Sequence, residues 1–291
     1  MAEITGRWGT RREGATRTRS VVNGPSSSTS VAGRPWSWRQ IPIRYLGVLV
    51  GSLIAWQVVA VSHVFPSFAF PSPASTWDSF LQTLHHGYQG STLLSDLMVS
   101  LERVSIAYVG AVAIGVVLGF AMTQSRAVFT VVDPFLQFLR PIPPLAYIPL
   151  FVVWFGIGEM PKVLLILVST VPVIVINTIN GVRSTPNYRI ELARNLGANR
   201  RQILTRVVFP SALPDIFTGM KVAIGVAWST LVAAELIAAS RGLGWLIEQA
   251  GTELQTGIVV TGIILIGIMG YLMDLAIRVL ERVVIPWRDF V

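Results

Sequence analysis

The sequence contains no cysteine, only three histidines among 291 residues, and only 13% charged side chains. Without cysteine, disulfides, thiolate nucleophiles and cysteine-held metals are all excluded. The histidines, His63, His85 and His86, sit together before the second apolar segment, and the acids near them in sequence are Asp78 and Asp96. That pattern is a weak one for a metal site, and none is expected. No G-x-x-x-x-G-K-[ST] run occurs, so the chain carries no phosphate-cradling loop of that kind. No nucleophile–base pair stands out either, since serines such as Ser229 have no nearby histidine in sequence. Repeated halves, the mark of many secondary carriers, are also missing. A membrane enzyme, a channel and a secondary carrier are therefore the weaker classes.

What the sequence has is apolar length. Hydrophobic residues make up 52%, and charge is about half the roughly 25% usual in soluble domains. Six apolar segments can be read, at about 44–64, 97–122, 129–157, 163–182, 219–239 and 258–280. Each is near or above the ~20 residues a helix needs to cross the hydrocarbon layer. The expected fold class is all-α: a polytopic membrane protein of six transmembrane helices. Between the first two segments, Pro66, Pro71 and Pro73 mark a loop. A short helix from about Ala74 to His85 follows, with Trp77, Phe80, Leu81 and Leu84 on one face and suited to the membrane interface.

Residues 1–38 have no apolar run and no signal-peptide core; they read as a disordered cytoplasmic tail, with 39–291 as the transmembrane domain. Lysine and arginine decide the orientation. With the N-terminus inside, the arginines from Arg7 to Arg44, Arg126, those from Arg183 to Arg206, and Arg278, Arg282 and Arg288 all fall on the cytoplasmic side. The outer side then keeps little beyond Lys162 and Arg241. Both termini are expected in the cytoplasm of a cell-membrane protein. The asymmetry accounts for the net charge of +8 without a nucleic-acid partner.

The longest polar stretch within the apolar body is 183–216. Pro186 ends whatever helix precedes it, and Tyr188 to Leu196 can form a short helix with Ile190, Ala193 and Leu196 along one side. Gly197 suits the positive φ that closes a helix. Gln202 to Phe209 reads as a second amphipathic stretch, ended by Pro210 and again by Pro214. Such a helix–glycine–helix loop is a docking surface for a soluble partner.

Glu191, Ala193, Gly197, Val207, Phe209 and Pro210 stand at the spacing of the E-A-A–three–G–nine–I-x-L-P loop of ATP-binding-cassette importer permeases, with Leu192, Val207 and Phe209 as apolar departures. The segments RPIPPLAYIPLFVVWFGIGEMPK at 140–162 and WSTLVAAELIAASRGLGWLIEQAG at 228–251 resemble the taurine, sulfonate and nitrate branch, the taurine permeases most of all. The resemblance runs from about Arg44 to Trp287. It implies a type I importer permease that is not itself an enzyme and binds no cofactor of its own. ATP and Mg would lie on a separate ATPase subunit, present in two copies. Two copies of the permease would pair, and a periplasmic or lipid-anchored binding protein would deliver a small anionic or zwitterionic substrate such as taurine or another sulfonate, with nitrate as the alternative cargo. The coupling helix would be Tyr188 to Leu196, with Tyr188, Arg189, Glu191, Ala193, Arg194, Leu196, Gly197 and Pro210 at the ATPase contact.

For the translocation path the sequence offers Arg140 with Pro141, Pro143 and Pro144, and farther on Trp228, Ser229 and Glu235. Arg140 falls mid-way along the third apolar segment, where a charge is costly and turns toward a partner or a water-filled cavity, and the three prolines directly after it withhold backbone N–H groups and break the helix. It either attracts an oxyanion or pairs with an acid such as Glu235 or Asp133. Glu235 either pairs with an arginine or is solvated near the outer interface, and Trp228 and Ser229 either line a cavity or pack between helices. Ala111, Gly115 and Gly119 form a stripe for close helix approach. Gly242 and Gly244 mark an outer turn that the resemblance places near a gate.

Overall fold

A computed structural model describes residues 41–62, 64, 66 and 68–287. The proposed tail at 1–38 and His63 lie outside these residues. Among the described residues, backbone packing separates those up to Val48 from those from Leu49 onward. Of the first unit only the opening turns of α1 (Ile41–Val61) are described; the elements from Leu49 onward form the second. After α1 come α2 (Pro73–His86), α3 (Leu93–Gln124), α4 (Arg126–Leu139), a single 3-10 turn (Pro144–Tyr147), α5 (Ile148–Phe155) and α6 (Glu159–Arg183). Then follow α7 (Asn187–Asn195), α8 (Arg200–Ile203), a π-turn (Leu204–Val208), α9 (Phe209–Ala238), α10 (Leu243–Thr252) and α11 (Thr256–Val284). No strand occurs among the described residues.

Four helical stretches are long and apolar enough to cross a membrane: α3, α6, the continuous run Arg200–Ala238, and α11. The third apolar segment is broken at its prolines, as the sequence predicts. Its halves, α4 and the stretch Pro144–Phe155, are bent by 100°, as a broken span or a re-entrant loop. The cause is local: Pro141, Pro143 and Pro144 cannot donate backbone hydrogen bonds, and Pro143, which precedes Pro144, is extended at ψ 132. Arg140 is the C-cap of α4 at that corner. The first segment corresponds to α1, apolar over Gly47–Val61.

A departure concerns Pro210 and Pro214, which do not end a helix. Pro210 falls in the first turn of α9, and Pro214 lies within it. The π-turn accounts for this. The N–H of Phe209 reaches back five residues to the Leu204 carbonyl, so the widened turn makes room for a ring that would clash with the carbonyl four residues before it. Helix α8 therefore runs on into α9 without a stop.

The core lies where α3, α6 and α9 meet. Ala111, Gly115 and Gly119 are all buried on one face of α3. A Cβ on Gly115 would sit 2.8 Å from Ile174 Cβ, and one on Gly119 would sit 2.6 Å from Thr178 Cβ. Gly119→Val is therefore expected to lower stability by about 1–3 kcal/mol through overpacking, while Gly110→Ala, whose nearest neighbour is 3.7 Å away, serves as the tolerated control. Thermal unfolding of the detergent-purified protein measures the difference, and equal melting of the two variants would contradict it.

Helix α2 starts at an N-cap, Ser72, with Pro73 in the first turn, and closes on Gly87 at φ +72. Its small polar face packs on α11, where a Cβ on Gly257 would meet Ser79 Oγ. Trp77 and Leu84 from its apolar face are exposed. Beyond it, Tyr88 Oη and Gln89 Nε2 both donate to the Glu253 carboxylate. The clasp joins two turns that hold non-glycine residues at positive φ, Gln89 at 49° and Leu254 at 58°. Burial and that carboxylate push the Tyr88 hydroxyl up to about 12.

Candidate functional site

Three features stand out, one at each end of the α3–α6–α9 core and one between them. At the end where α6 stops and α9 begins, the chain leaves the core to make α7. Pro186 is its N-cap, Leu196 its C-cap, and Gly197 follows at φ +81. The helix is one residue earlier than the sequence suggests, within the ordinary fraying of helix ends. No residue of α7 is buried. Tyr188, Leu192 and Leu196 are 63%, 58% and 80% exposed, and their i, i+4, i+8 spacing puts them on one face. Asn199 and Gln202 then form a capping box that starts α8. Arg189 lies over the Tyr188 ring at 5.8 Å and, with Arg206 and Pro210, lines a cavity of about 470 Å³ beneath the loop. Glu191, Arg194 and Gly197 are exposed, and Ala193 is half-buried.

The second feature is a cavity of about 420 Å³ between the α4 corner, α6 and α9. Arg140 and Pro144 line it from the corner, Ser169, Pro172 and Asn177 from α6, and Val222 and Val226 from α9. Arg140 makes no ion pair among the described residues, with Glu235 and Asp133 included. Pro141 and Pro143 shape the corner and do not line the cavity. Ser229 is exposed and one turn beyond Val226, so it continues the same face of α9, with its hydroxyl turned back to the Gly225 and Val226 carbonyls. Trp228 faces the other way: it is buried against Gly270, and its Nε1 has no partner among the described residues.

The third feature, at the opposite end from α7, is an ionic cluster of which the sequence offered Glu235 alone as a charged path residue. That carboxylate is fully buried. It accepts from Arg103 Nη1 at 2.8 Å, from Ser100 Oγ at 2.8 Å and from the Gly244 N–H at 2.9 Å. Arg103, itself 5% exposed, also forks onto Glu159 and donates to the Arg241 carbonyl at 2.7 Å. Lys162 reaches Glu159 at 3.1 Å. Asp96 Oδ1 accepts from Ser91 Oγ and from the Gly242 N–H, and the Leu243 N–H donates to Ser100 Oγ. Three successive N–H groups at the start of α10 therefore end on side chains of α3 and α9. Those groups have no partner inside their own helix, and its positive end favours the carboxylates.

Gly242 makes the arrangement possible. It stands at φ +124, and a Cβ there would come 2.5 Å from Glu235 Oε1. Gly242 and Gly244 thus serve a packing role that their place in the sequence does not reveal. A signal for Arg103 was available. Asp96, Ser100 and Arg103 continue the buried face of Ala107, Ala111, Gly115 and Gly119 at helical spacing, yet Arg103 directly precedes the uncharged run and reads as a span boundary. Asn177, hidden within an apolar helix, was also passed over. Among the described residues, no three His, Asp or Glu side chains come together to hold a metal.

A family profile described as "Binding-protein-dependent transport system inner membrane component" matches residues 111–286. The chain is 41% identical over 256 residues to the taurine transport system permease protein TauC of Escherichia coli, covering 87% of this chain and 93% of TauC. It is 34% identical over 245 residues to SsuC of Bacillus subtilis, named as an aliphatic sulfonates transport permease, covering 84% and 87% of the two chains. With the nitrate import permease protein NrtB of Leptolyngbya laminosa it shares 29% over 276 residues, covering 89% and 98%. A solved inward-facing structure of the MetNI methionine ABC transporter superposes with a TM-score of 0.58 at 22% identity, covering 66% of this chain and 95% of that one. That likeness bears on the fold alone.

Proposed function

This chain belongs to the family of binding-protein-dependent transport system inner membrane components, the permease subunits of ATP-binding-cassette importers, and from that premise we propose that it moves a small sulfonate such as taurine into the cell by ATP-driven alternating access. The permease is not the catalytic subunit of such a system. ATP and Mg would sit on two copies of a separate ATPase, and a second permease copy and a binding protein would complete the assembly. Lysine and arginine placement favours an orientation with α7 and both termini in the cytoplasm.

The observation that carries the proposal is α7. A nine-residue helix with no buried residue adds nothing to the core, and an apolar face left in water on a short loop calls for a partner. Tyr188, Leu192 and Leu196 would enter a groove on the ATPase, with Arg189, Glu191, Ala193 and Arg194 around them. Gly197 and Pro210 would fix how the helix leaves and rejoins the bundle. Because α7 directly joins α6 to the helix that becomes α9, a push on it moves the two helices that wall the Arg140 cavity. ATP binding would open the paired permeases outward, and hydrolysis would return them. Arg140 at its proline corner and Ser229 farther along α9 would line the path. Trp228 and Glu235 would hold the helices that move, Glu235 through its pairing with Arg103.

Proteoliposomes holding the permease with its ATPase and binding protein provide the test. Taurine uptake that requires ATP, and stops when the binding protein is omitted, is expected. A fully assembled complex that hydrolyses ATP but accumulates no taurine or other sulfonate would overturn the cargo assignment.

A further inference from the structure

One wall of the Arg140 cavity is cationic and another is neutral and polar. Its volume, about 420 Å³, falls in the roughly 300–1,000 Å³ range of small-molecule sites. From the α4 corner comes one guanidinium, Arg140, and no carboxylate lines the cavity. The α6 wall is built differently. Ser169 Oγ donates its hydrogen to the Ile166 carbonyl at 2.9 Å, which leaves its lone pairs. Asn177 Nδ2 donates to the Val173 carbonyl at 2.8 Å, which leaves Oδ1. Pro172 has no N–H to offer the carbonyl four residues earlier, which is that of Val168, another lining residue. Three neutral acceptors therefore share one wall opposite a cation. Asn177 is also held in place: α9 approaches so closely at Gly219 that a Cβ there would lie 2.5 Å from Asn177 Cβ.

From this polarity we infer that the cavity reads a zwitterion, with the sulfonate of an aminosulfonate on Arg140 and its ammonium on the α6 acceptors, Asn177 Oδ1 foremost. The inference rests on the importer reading and sharpens it. A plain anion gains only from the arginine, whereas a molecule carrying an ammonium a few ångströms from its oxyanion satisfies both walls. A hydrogen bond to a charged group adds about 1.5–3 kcal/mol, so the amine is worth about tenfold or more in affinity. Selection by the permease then adds to that of the binding protein.

The test uses the permease–ATPase complex in nanodiscs, without binding protein, titrated by saturation-transfer NMR with taurine and with ethanesulfonate, which lacks only the amine. Taurine is expected to bind about tenfold more tightly. Asn177→Leu should erase the difference by weakening taurine alone, and the isosteric Asn177→Asp should widen it, since a carboxylate attracts the ammonium and repels the plain anion. Equal binding of the two ligands by the unaltered complex, no binding of either, or a loss that strikes both alike in the variants would overturn the inference. Should Asn177→Leu not assemble, the Asn177→Asp ratio decides. ATP-driven taurine uptake that persists while selectivity is absent would leave the importer reading intact and defeat only this one.

Discussion

Glu191→Lys, Leu192→Asp and Gly197→Asp are each expected to cut ATP-driven uptake more than tenfold while the permease still inserts and folds. The reasoning begins with what α7 does not do. None of its residues is buried, so a changed side chain there creates no cavity and strands no polar group, and surface changes of that kind usually stay within ~0.5 kcal/mol of stability. Gly197 is at φ +81 with nothing within 4 Å of where a Cβ would stand. Aspartate tolerates that backbone region better than most residues, so the turn survives its introduction. A charge at Leu192 on the apolar face, by contrast, must be desolvated to enter a partner's groove, and losing one anchor of an interface costs about 2 kcal/mol or more, over tenfold in occupancy. Glu191→Lys reverses and Gly197→Asp adds a charge beside that face, where electrostatic complementarity with the partner is set. Uptake and ATPase rate measured on the same proteoliposomes separate the outcomes. Uncoupling keeps permease in the membrane and basal hydrolysis running without transport, while normal uptake in all three variants would count against α7 as the transmitting element.

Arg103→Met carries the largest expected cost to folding. Its guanidinium is the cation that neutralises Glu235, which is fully buried. Removing one partner of a buried pair costs about 3–5 kcal/mol, because the remaining charge cannot reach water. Glu159 is different. Its side chain is 62% exposed, so Glu159→Gln is expected to cost no more than about 1 kcal/mol. Methionine replaces the arginine stem, so the loss reads the charge more than the packing. Combining Arg103→Met with Glu235→Gln should cost less than the sum of the two single changes, since the stranded charge is gone. Thermal unfolding of the purified protein, alone and with its ATPase, gives the comparison. An Arg103→Met protein that melts with the unaltered one would mean that this cluster does not hold α3, α9 and α10 together.

Much of this was legible in the sequence, and the failures have physical reasons. Apolar length alone located the helices that became α3, α6, α9 and α11, because lipid tolerates few charges along a span. The small-residue stripe at Ala111, Gly115 and Gly119 pointed correctly to a close approach, although not to α6 as the neighbour. The prolines divide. The three after Arg140 break the helix as expected, bending the chain by 100°, while Pro210 and Pro214, expected to stop a helix, interrupt nothing, because one lies in a first helical turn behind a π-turn and the other is absorbed within α9. Proline chemistry is the same in each case, and only the surrounding turn decides the result. The ionic cluster was the main gap. Arg103, Asp96 and Ser100 come from α3, Glu159 from α6, Glu235 from α9 and the amides from the start of α10, and a sequence without long-range contacts does not say which of these meet. Asn177 was passed over for another reason: its amide is bonded to its own helix, so it resembles any polar residue tolerated in a span until the cavity beside it is seen.

Because the chain contains no cysteine, Leu192→Cys supplies a single thiol at the centre of the α7 face, and its reactivity toward a membrane-impermeant maleimide tests most directly whether that face is where the ATPase takes hold. Labelling from the cytoplasmic side that falls at least tenfold once the ATPase subunit is assembled is the expected result. Labelling that is unchanged by the ATPase, or that occurs only from outside intact cells, would contradict it.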